Sequence, residues 1–206
     1  MRAFLAAPAD EATRQAFANV ENDLIRRLGL SGDRHVRMTW VRPDVVHLTF
    51  KFLGDIEEAA AGPLEDAVGR ALRGKEPVEL PLDKLGVFPR ANAPRALWVG
   101  PGESWGASDA AARLMALHAA IEDACAVVGL ARDPTPWRPH LTLARVRSGE
   151  REVGRALRST GALERALAVR PMPIDHAVLM KSELLPGGPT HTPIWMHRLA
   201  STGPVS

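Results

Sequence analysis

The sequence predicts an α+β fold, and two observations support this prediction. Several strand-like segments follow one another with no helix between them, whereas a regular parallel sheet needs a helical connection after each strand. In addition, each half of the chain contains a strand that begins His-Leu-Thr and follows a turn containing Arg-Pro. This repeat suggests two related lobes.

The first half contains two predicted helices. Asp10 is a suitable N-cap for a helix that ends near Leu28, because apolar residues recur at helical spacing and Gly29 follows. Pro63 is a favourable first residue for a second helix, which Gly74 ends after residue 72. The apolar, β-branched segments predict strands at residues 2–6, 36–41, 45–53, 78–87 and 95–99.

The second half repeats this mixture. A helix is predicted from residue 108 to 128, where Gly129 ends it, and a weaker helix from 150 to 158. Strands are predicted at residues 140–146, 174–182 and 192–199. Residues 200–206 are predicted to be a frayed tail.

Composition limits the function classes. With 46% hydrophobic and 24% charged residues, the chain has an ordinary globular composition. Its net charge of +2 is too small for nucleic-acid binding by electrostatics alone, although small anions and RNA ends remain possible ligands. The apolar run at residues 3–7 is too short for a signal peptide, and Cys125 is the only cysteine, so we expect a cytoplasmic protein. Cys125 lies on an apolar helical stripe, which favours packing over catalysis.

The motifs His47-Leu48-Thr49-Phe50 and His140-Leu141-Thr142-Leu143 carry the chemistry. Side chains alternate along a strand, so each histidine shares a face with the threonine two residues later. By the same alternation Lys51 joins the face of Thr49, and Phe52 joins the apolar face.

Two such strands across a cleft would place two imidazoles and two hydroxyls around one volume. Hydroxyls donate to phosphate oxygens, and imidazoles exchange protons near neutral pH. The motif pair therefore favours phosphate chemistry.

Histidines in strands also have structural and metal-binding roles. A single histidine in a strand is usually structural, and a metal site is a rival, but neither motif has a neighbouring ligand at HxH or HExxH spacing. The remaining histidines have simpler explanations: His118 on an apolar stripe, His35 and His197 near element ends, His176 beside Asp175, and His191 in a turn that could approach a cleft.

The chain resembles the two-histidine phosphoesterases, and within them the bacterial RNA 2′,3′-cyclic phosphodiesterases, formerly called 2′-5′ RNA ligases. The resemblance covers nearly the whole chain. It rests on the two motifs and on the blocks Arg2-Ala3-Phe4-Leu5-Ala6, Trp40-Val41-Arg42-Pro43, Lys51-Phe52-Leu53-Gly54, Leu85-Gly86-Val87-Phe88-Pro89, Ala96-Leu97-Trp98-Val99-Gly100, Ala144-Arg145-Val146, Lys181-Ser182-Glu183-Leu184 and Pro186-Gly187-Gly188.

The resemblance implies a bilobed α+β fold, with an antiparallel sheet and flanking helices in each lobe around a central cleft. Residues 1–199 would form one such domain, whose lobes can exchange strands. It also implies hydrolysis of ribose 2′,3′-cyclic phosphates to 2′-phosphates without metal or other cofactor. In that reaction His47 would be the proton donor and His140 the proton acceptor, while Thr49 and Thr142 would bind the phosphate.

Further contacts are secondary candidates. Lys51 and Arg145 could offset phosphate charge, although strict alternation puts Arg145 on the Leu141 face, so it needs a bulge to reach the cleft. Where this chain has His191-Thr192, members of the family it resembles often carry an aromatic residue. Trp98 is expected in the core. The expected partners are RNA termini or nucleotides bearing a 2′,3′-cyclic phosphate, with no membrane and no obligate protein partner, for a monomer.

Three alternative functions remain open. The same histidines could join RNA ends through a 2′-5′ bond, which reverses the hydrolysis. A binding protein could keep the cleft without catalysis, although binding alone would not need both imidazoles. A metal hydrolase would lose its activity on chelation.

Overall fold

The computed structural model describes residues 1–185 and 188–200. Within these ranges there are four α-helices, α1 (Glu11–Leu28), α2 (Ala61–Leu72), α3 (Asp109–Val127) and α4 (Glu150–Ser159). The strands are β1 (Arg2–Pro8), β2 (Arg37–Trp40), β3 (His47–Asp55), β4 (Val78–Leu80), β5 (Lys84–Phe88), β6 (Ala96–Gly100), β7 (Leu141–Ser148), β8 (Met172–Ile174), β9 (His176–Leu185) and β10 (Gly188–Arg198). Most of the predicted tail (residues 201–206), together with Pro186 and Gly187 of the family resemblance, lies outside the described residues.

One antiparallel sheet dominates the fold. Its order is β10-β9-β1-β3-β7-β6-β5, with β2 beside β7, and β4 pairs with β8 separately. The cross-strand pair Leu48–Leu141 joins β3 to β7, and thereby joins the two halves of the sheet. The predicted α+β class is confirmed.

Helices cover one face of this sheet, and two of them pack against the other half of the sheet from the one that they follow in sequence. α3 follows β6 in the second half but packs on β3 of the first half and on α2, which also contacts β10. α1 follows β1 in the first half but packs on α4, which contacts β7. The core between sheet and helices includes the apolar motif residues Leu48, Phe50, Leu141 and Leu143, as well as Phe17, Leu64, Val68, Leu114, Leu117, Ile121, Val153 and Leu157.

Local sequence signals explain several element boundaries. Asp10 Oδ1 accepts the Thr13 N–H at 2.8 Å, and Gly29 ends α1 in the left-handed conformation with φ 60°, as predicted. Ser108 caps α3 in the same way, accepting the Ala111 N–H at 3.1 Å.

Four predicted strands differ from the structure; of these, the one predicted at 192–199 begins four residues earlier, at Gly188. The segment 78–87 forms two strands, β4 and β5, because Pro81 between them lacks the N–H that a ladder needs. The strand predicted at 45–53 starts at His47, since Pro43–Val45 forms a 3-10 turn. The strand predicted at 174–182 starts at His176, since Met172–Ile174 pairs separately with β4.

None of the helices in the described ranges combines the length and apolar character needed to cross a membrane.

Candidate active site

The register between β3 and β7 brings the two motifs together. Leu48 pairs with Leu141 in antiparallel orientation, and both side chains are fully buried on the helix side. Antiparallel neighbours run in opposite directions, so this register sets His47 beside Thr142 and Thr49 beside His140 on the opposite face. The two His/Thr units are thus related by an approximate two-fold axis through the leucine pair.

The two histidines have equivalent backbone partners, each the carbonyl two residues earlier in the chain. His47 Nδ1 lies 2.8 Å from the Val45 carbonyl oxygen, and His140 Nδ1 lies 2.7 Å from the Arg138 carbonyl oxygen. A carbonyl can only accept, so Nδ1 carries the proton of each neutral ring. Nε2 on the opposite edge of each ring is therefore the atom that can gain or lose a proton.

Aromatic side chains surround both imidazoles. The ring of Phe4 lies 4.8 Å from that of His47, and Phe88 lies 5.0 Å from His140 with Trp98 at 5.9 Å. Phe4 pairs with Phe52, which lies well beyond His47 along β3, and yet the ring of Phe4 contacts that of His47. The sheet therefore curves so that the site face is concave.

The pKa of His47 is lowered to about 4, mainly by burial; the Val45 hydrogen bond raises it, and the neighbouring His191, His140 and Arg145 lower it. Burial also lowers the pKa of His140, the Arg138 carbonyl raises it and Arg145 lowers it. Both imidazoles are therefore predominantly neutral at pH 7.

A β-bulge in β3 changes two predicted orientations. Leu5 of β1 pairs with Lys51 and Ala6 pairs with Thr49, which leaves Phe50 without a partner. Phe50 and Lys51 consequently both point into the helix side, and Phe52 turns to the site face with 67% exposure. The predictions that Lys51 shares the face of Thr49 and that Phe52 joins the core were both wrong.

Lys51 instead forms a buried ion pair with Glu122 of α3. Its Nζ lies 2.9 and 2.8 Å from the two carboxylate oxygens, and the side chains are only 4% and 7% exposed. Glu122 also accepts the Asp133 N–H at 3.3 Å, which ties the loop before the second motif to α3. Lys51 is therefore not available to a phosphate in the cleft.

Trp137 connects the same loop to the first motif. Its Nε1 donates to the Thr49 carbonyl at 2.9 Å, and its ring stacks on His118 with centroids 4.2 Å apart. His118 is half-buried and 3.9 Å from Glu122, as expected for a boundary residue. Cys125 is buried beneath this cluster, and burial raises the pKa of its thiol to about 12. These contacts fix the position of the second motif relative to the first.

A matching bulge in β7 brings Arg145 to the site. Leu97 of β6 pairs with Ala144 and Trp98 pairs with Thr142, so Leu143 has no partner. Leu143 and Ala144 are both buried, and Arg145 is exposed on the Thr142 face, close enough to lower the pKa of both catalytic candidates. The bulge that Arg145 needed to reach the cleft is present.

Sequence reasoning was incomplete for two residues beside the histidines, His191 and Trp98. His191 lies in β10 rather than in a turn, and its ring is 5.2 Å from His47 and 4.8 Å from Phe4. Trp98 is half-buried beside His140 rather than in the core. Its ring lies over Gly86 on the paired strand, where a Cβ would be only 2.1 Å away, so the position needs a glycine. For two other residues that face the cleft, Phe52 and Arg145, the sequence did contain a signal: each follows the threonine of its motif by three positions.

Other features lie apart from this site. A cavity of about 320 Å³ lies between α1 and residues 162–169 on the helix side. The described ranges contain no group of three or more His, Cys, Asp or Glu side chains placed to hold a metal ion.

Comparison with known proteins identifies the family. The sequence model of one protein family, described as the 2′-5′ RNA ligase superfamily, matches residues 13–184 of this chain. The chain belongs to this superfamily. The family predicted from the two motifs is therefore confirmed.

Curated members of the superfamily are similar along most of the chain. A protein of Methanothermobacter thermautotrophicus named RNA 2′,3′-cyclic phosphodiesterase is 32% identical over 199 residues, 97% of this chain and 99% of that protein. A protein of the same name from Aquifex aeolicus is 28% identical, covering 83% and 87%. The predicted activity is the one for which these relatives are named.

Solved structures share the fold. The protein TT0787 of Thermus thermophilus superposes with a TM-score of 0.67 at 24% identity, covering 98% of this chain and 100% of that one. Apo LigT of E. coli superposes with a TM-score of 0.64 at 22% identity, covering 96% of each. These two structures therefore share the fold of this chain over almost its whole length.

The buried ion pair predicts how Lys51 substitutions behave. Lys51→Met leaves the Glu122 carboxylate buried without its counter-ion, so we expect a loss of about 3–5 kcal/mol in the free energy of unfolding, measured in urea. The double variant Lys51→Met/Glu122→Leu should lose less, because no buried charge remains. If Lys51 instead bound the phosphate, Lys51→Met would keep its stability and lose substrate affinity.

The position of Arg145 predicts a change in the histidine pKa values. In Arg145→Met we expect the pKa of His47 and of His140 to rise, because a positive charge that opposes their protonation is gone. Imidazole NMR titration measures both values. Arg113→Met, which removes a charge from α3 on the helix side, should leave them unchanged. Equal values in wild type and Arg145→Met would contradict the placement of Arg145.

Proposed function

We propose that this protein hydrolyses ribose 2′,3′-cyclic phosphates to 2′-phosphates, with His47 and His140 as its acid and base and without a metal ion. The observation that best supports this proposal is the pair of His/Thr units on one concave face, related by an approximate two-fold axis. RNA ends and small nucleotides with a cyclic phosphate contain the same reacting group. The names of the curated relatives agree with this activity.

The proposed reaction moves one proton at each histidine. Nε2 of His140 accepts a proton from water, and the water oxygen bonds to phosphorus as the bond to the 3′ oxygen breaks. Nε2 of His47 gives its proton to the departing 3′ oxygen, which leaves a 2′-phosphate. Exchange with solvent then restores protonated His47 and neutral His140.

A bound substrate would reconcile the role of His47 as proton donor with its low pKa. A proton donor must be protonated, but the pKa of His47 is lowered to about 4, mainly by burial. A bound phosphate carries negative charge, which favours the imidazolium form and raises the pKa of a neighbouring histidine. We propose that His47 becomes a competent acid only when the phosphate is bound.

Further residues have supporting roles in the proposal. The hydroxyls of Thr49 and Thr142 donate to the non-bridging oxygens, and the guanidinium of Arg145 offsets the charge of the phosphate. The exposed ring of Phe52 and the imidazole of His191 would contact the base or ribose. One solved relative, E. coli LigT, has been crystallised with 3′-AMP. All these groups belong to one chain, so we expect a monomer to be active. The single cysteine, Cys125, leads us to expect a cytoplasmic location.

The superfamily name favours 2′-5′ ligation as a second candidate function. Ligation reverses the same bond changes, with the roles of the two histidines exchanged. Hydrolysis has the advantage in water, because water far exceeds any RNA 5′ end in concentration.

Substitution of either histidine tests the catalytic assignment. We expect His47→Ala and His140→Ala each to lower kcat on 2′,3′-cyclic AMP by about 10²–10⁴-fold, the usual contribution of a positioned acid or base, with an unchanged circular dichroism spectrum. The exposed histidine His35 provides a control, and His35→Ala should retain full activity. Near-wild-type turnover in a folded His47→Ala or His140→Ala protein would disprove the assignment.

Product analysis in EDTA tests the reaction itself. We expect 2′,3′-cyclic nucleotides and cyclic-phosphate-terminated RNA to give only 2′-phosphate products, with no loss of rate in the chelator. Formation of 3′-phosphates, or loss of activity that added metal restores, would contradict the proposed reaction.

A further inference from the structure

A row of arginines continues from the cleft along β7 and β2. Thr39 pairs with Arg145, and Arg37 pairs with Ser148, with Arg147 between these pairs. Cross-strand partners share a face, and alternate residues of one strand share a face, so Arg37, Thr39, Arg145 and Arg147 all lie on the site face. Arg147 Nε is 3.4 Å from Thr39 Oγ1, which agrees with this placement.

The arginine row, defined as Arg37, Arg145 and Arg147, carries uncompensated charge. All three residues are exposed, and none forms an ion pair within residues 1–185 and 188–200. By comparison, five of the arginines on the helices contact carboxylates: Arg14, Arg26, Arg27, Arg113 and Arg155. The net charge of the chain is only +2, so this row is a local feature and not a consequence of a generally basic surface.

The row begins at the catalytic pair and leads away from it. Arg145 is close enough to His47 and His140 to lower the pKa of both. Arg147 follows two residues later on the same face, roughly 7 Å further along the strand. An extended chain of phosphates that starts in the cleft would therefore meet further guanidinium groups in one direction.

We infer that Arg147 and Arg37 form a subsite for the phosphodiester groups upstream of the reacting end of a single-stranded RNA. This inference rests on the proposed function and specifies its substrate as an RNA strand, since a cyclic mononucleotide has no phosphate to place on Arg147. Guanidinium groups form paired, charge-assisted hydrogen bonds to phosphate, and the Thr39 hydroxyl adds a further donor. Continuity with the phosphate site selects nucleic acid over an acidic protein as the ligand.

The test compares a substrate without upstream nucleotides and one whose upstream nucleotides carry phosphodiester groups; both end in the same 2′,3′-cyclic phosphate. KM and kcat are measured on 2′,3′-cyclic CMP and on a tetraribonucleotide with a 2′,3′-cyclic phosphate end, for wild type, Arg147→Gln, Arg37→Gln and the double variant. We expect each single substitution to raise KM for the tetranucleotide roughly tenfold, as loss of a charge-assisted hydrogen bond does, and to leave both constants on 2′,3′-cyclic CMP unchanged. The dependence of log KM on log salt concentration should weaken by about 0.7 per lost phosphate contact.

Arg113→Gln is the matched control, because it removes one positive charge from the helix side. The inference is overturned if the double variant treats both substrates as wild type does, if it loses activity on both alike, or if Arg113→Gln has the same effect. Fluorescence anisotropy with a labelled, 3′-phosphorylated tetranucleotide measures binding without turnover. If wild type lacks activity on both substrates but the double variant binds this RNA more weakly, the proposed function fails and the subsite stands. Equal binding by wild type and double variant overturns the subsite.

Discussion

The cross-strand pair of Leu48 with Leu141 joins the two halves of the sheet and sets the geometry of the site. Because both leucines are fully buried, a shift of one residue in this register would move an imidazole and a hydroxyl into the core. The same burial that stabilises the fold therefore holds His47 and His140 on the opposite, concave face. The buried Lys51–Glu122 pair and the Trp137 hydrogen bond to Thr49 add a second connection between the motifs.

Two β-bulges then decide which further side chains face the cleft. Each bulge follows a motif threonine directly and reverses the alternation beyond it, so Phe52 and Arg145 occupy equivalent positions in the two halves. One half thus presents an aromatic ring and the other a guanidinium. This difference gives an otherwise symmetrical site an apolar side and a cationic side, which suits a ligand with a base at one end and phosphates at the other.

Local signals in the sequence were sufficient for the two His/Thr units, the family and the bounds of α1, because capping, periodicity and motif spacing involve neighbouring residues. The orientations of Lys51, Phe52 and Arg145 depend on how β3 pairs with β1 and how β7 pairs with β6, which no local pattern contains. His191 reaches His47 from β10 only because the sheet is curved. The ring of Trp98 can lie beside His140 because Gly86, on the neighbouring strand, has no side chain and leaves space for it.

Paired acid–base catalysis is the central claim, and the pH dependence of kcat on 2′,3′-cyclic AMP in EDTA tests it most directly. One histidine must be neutral and the other protonated in the complex, so kcat should fall at both low and high pH and give a bell-shaped profile. A rate that rises with pH to a plateau, without the alkaline decrease, would contradict catalysis by the two histidines together.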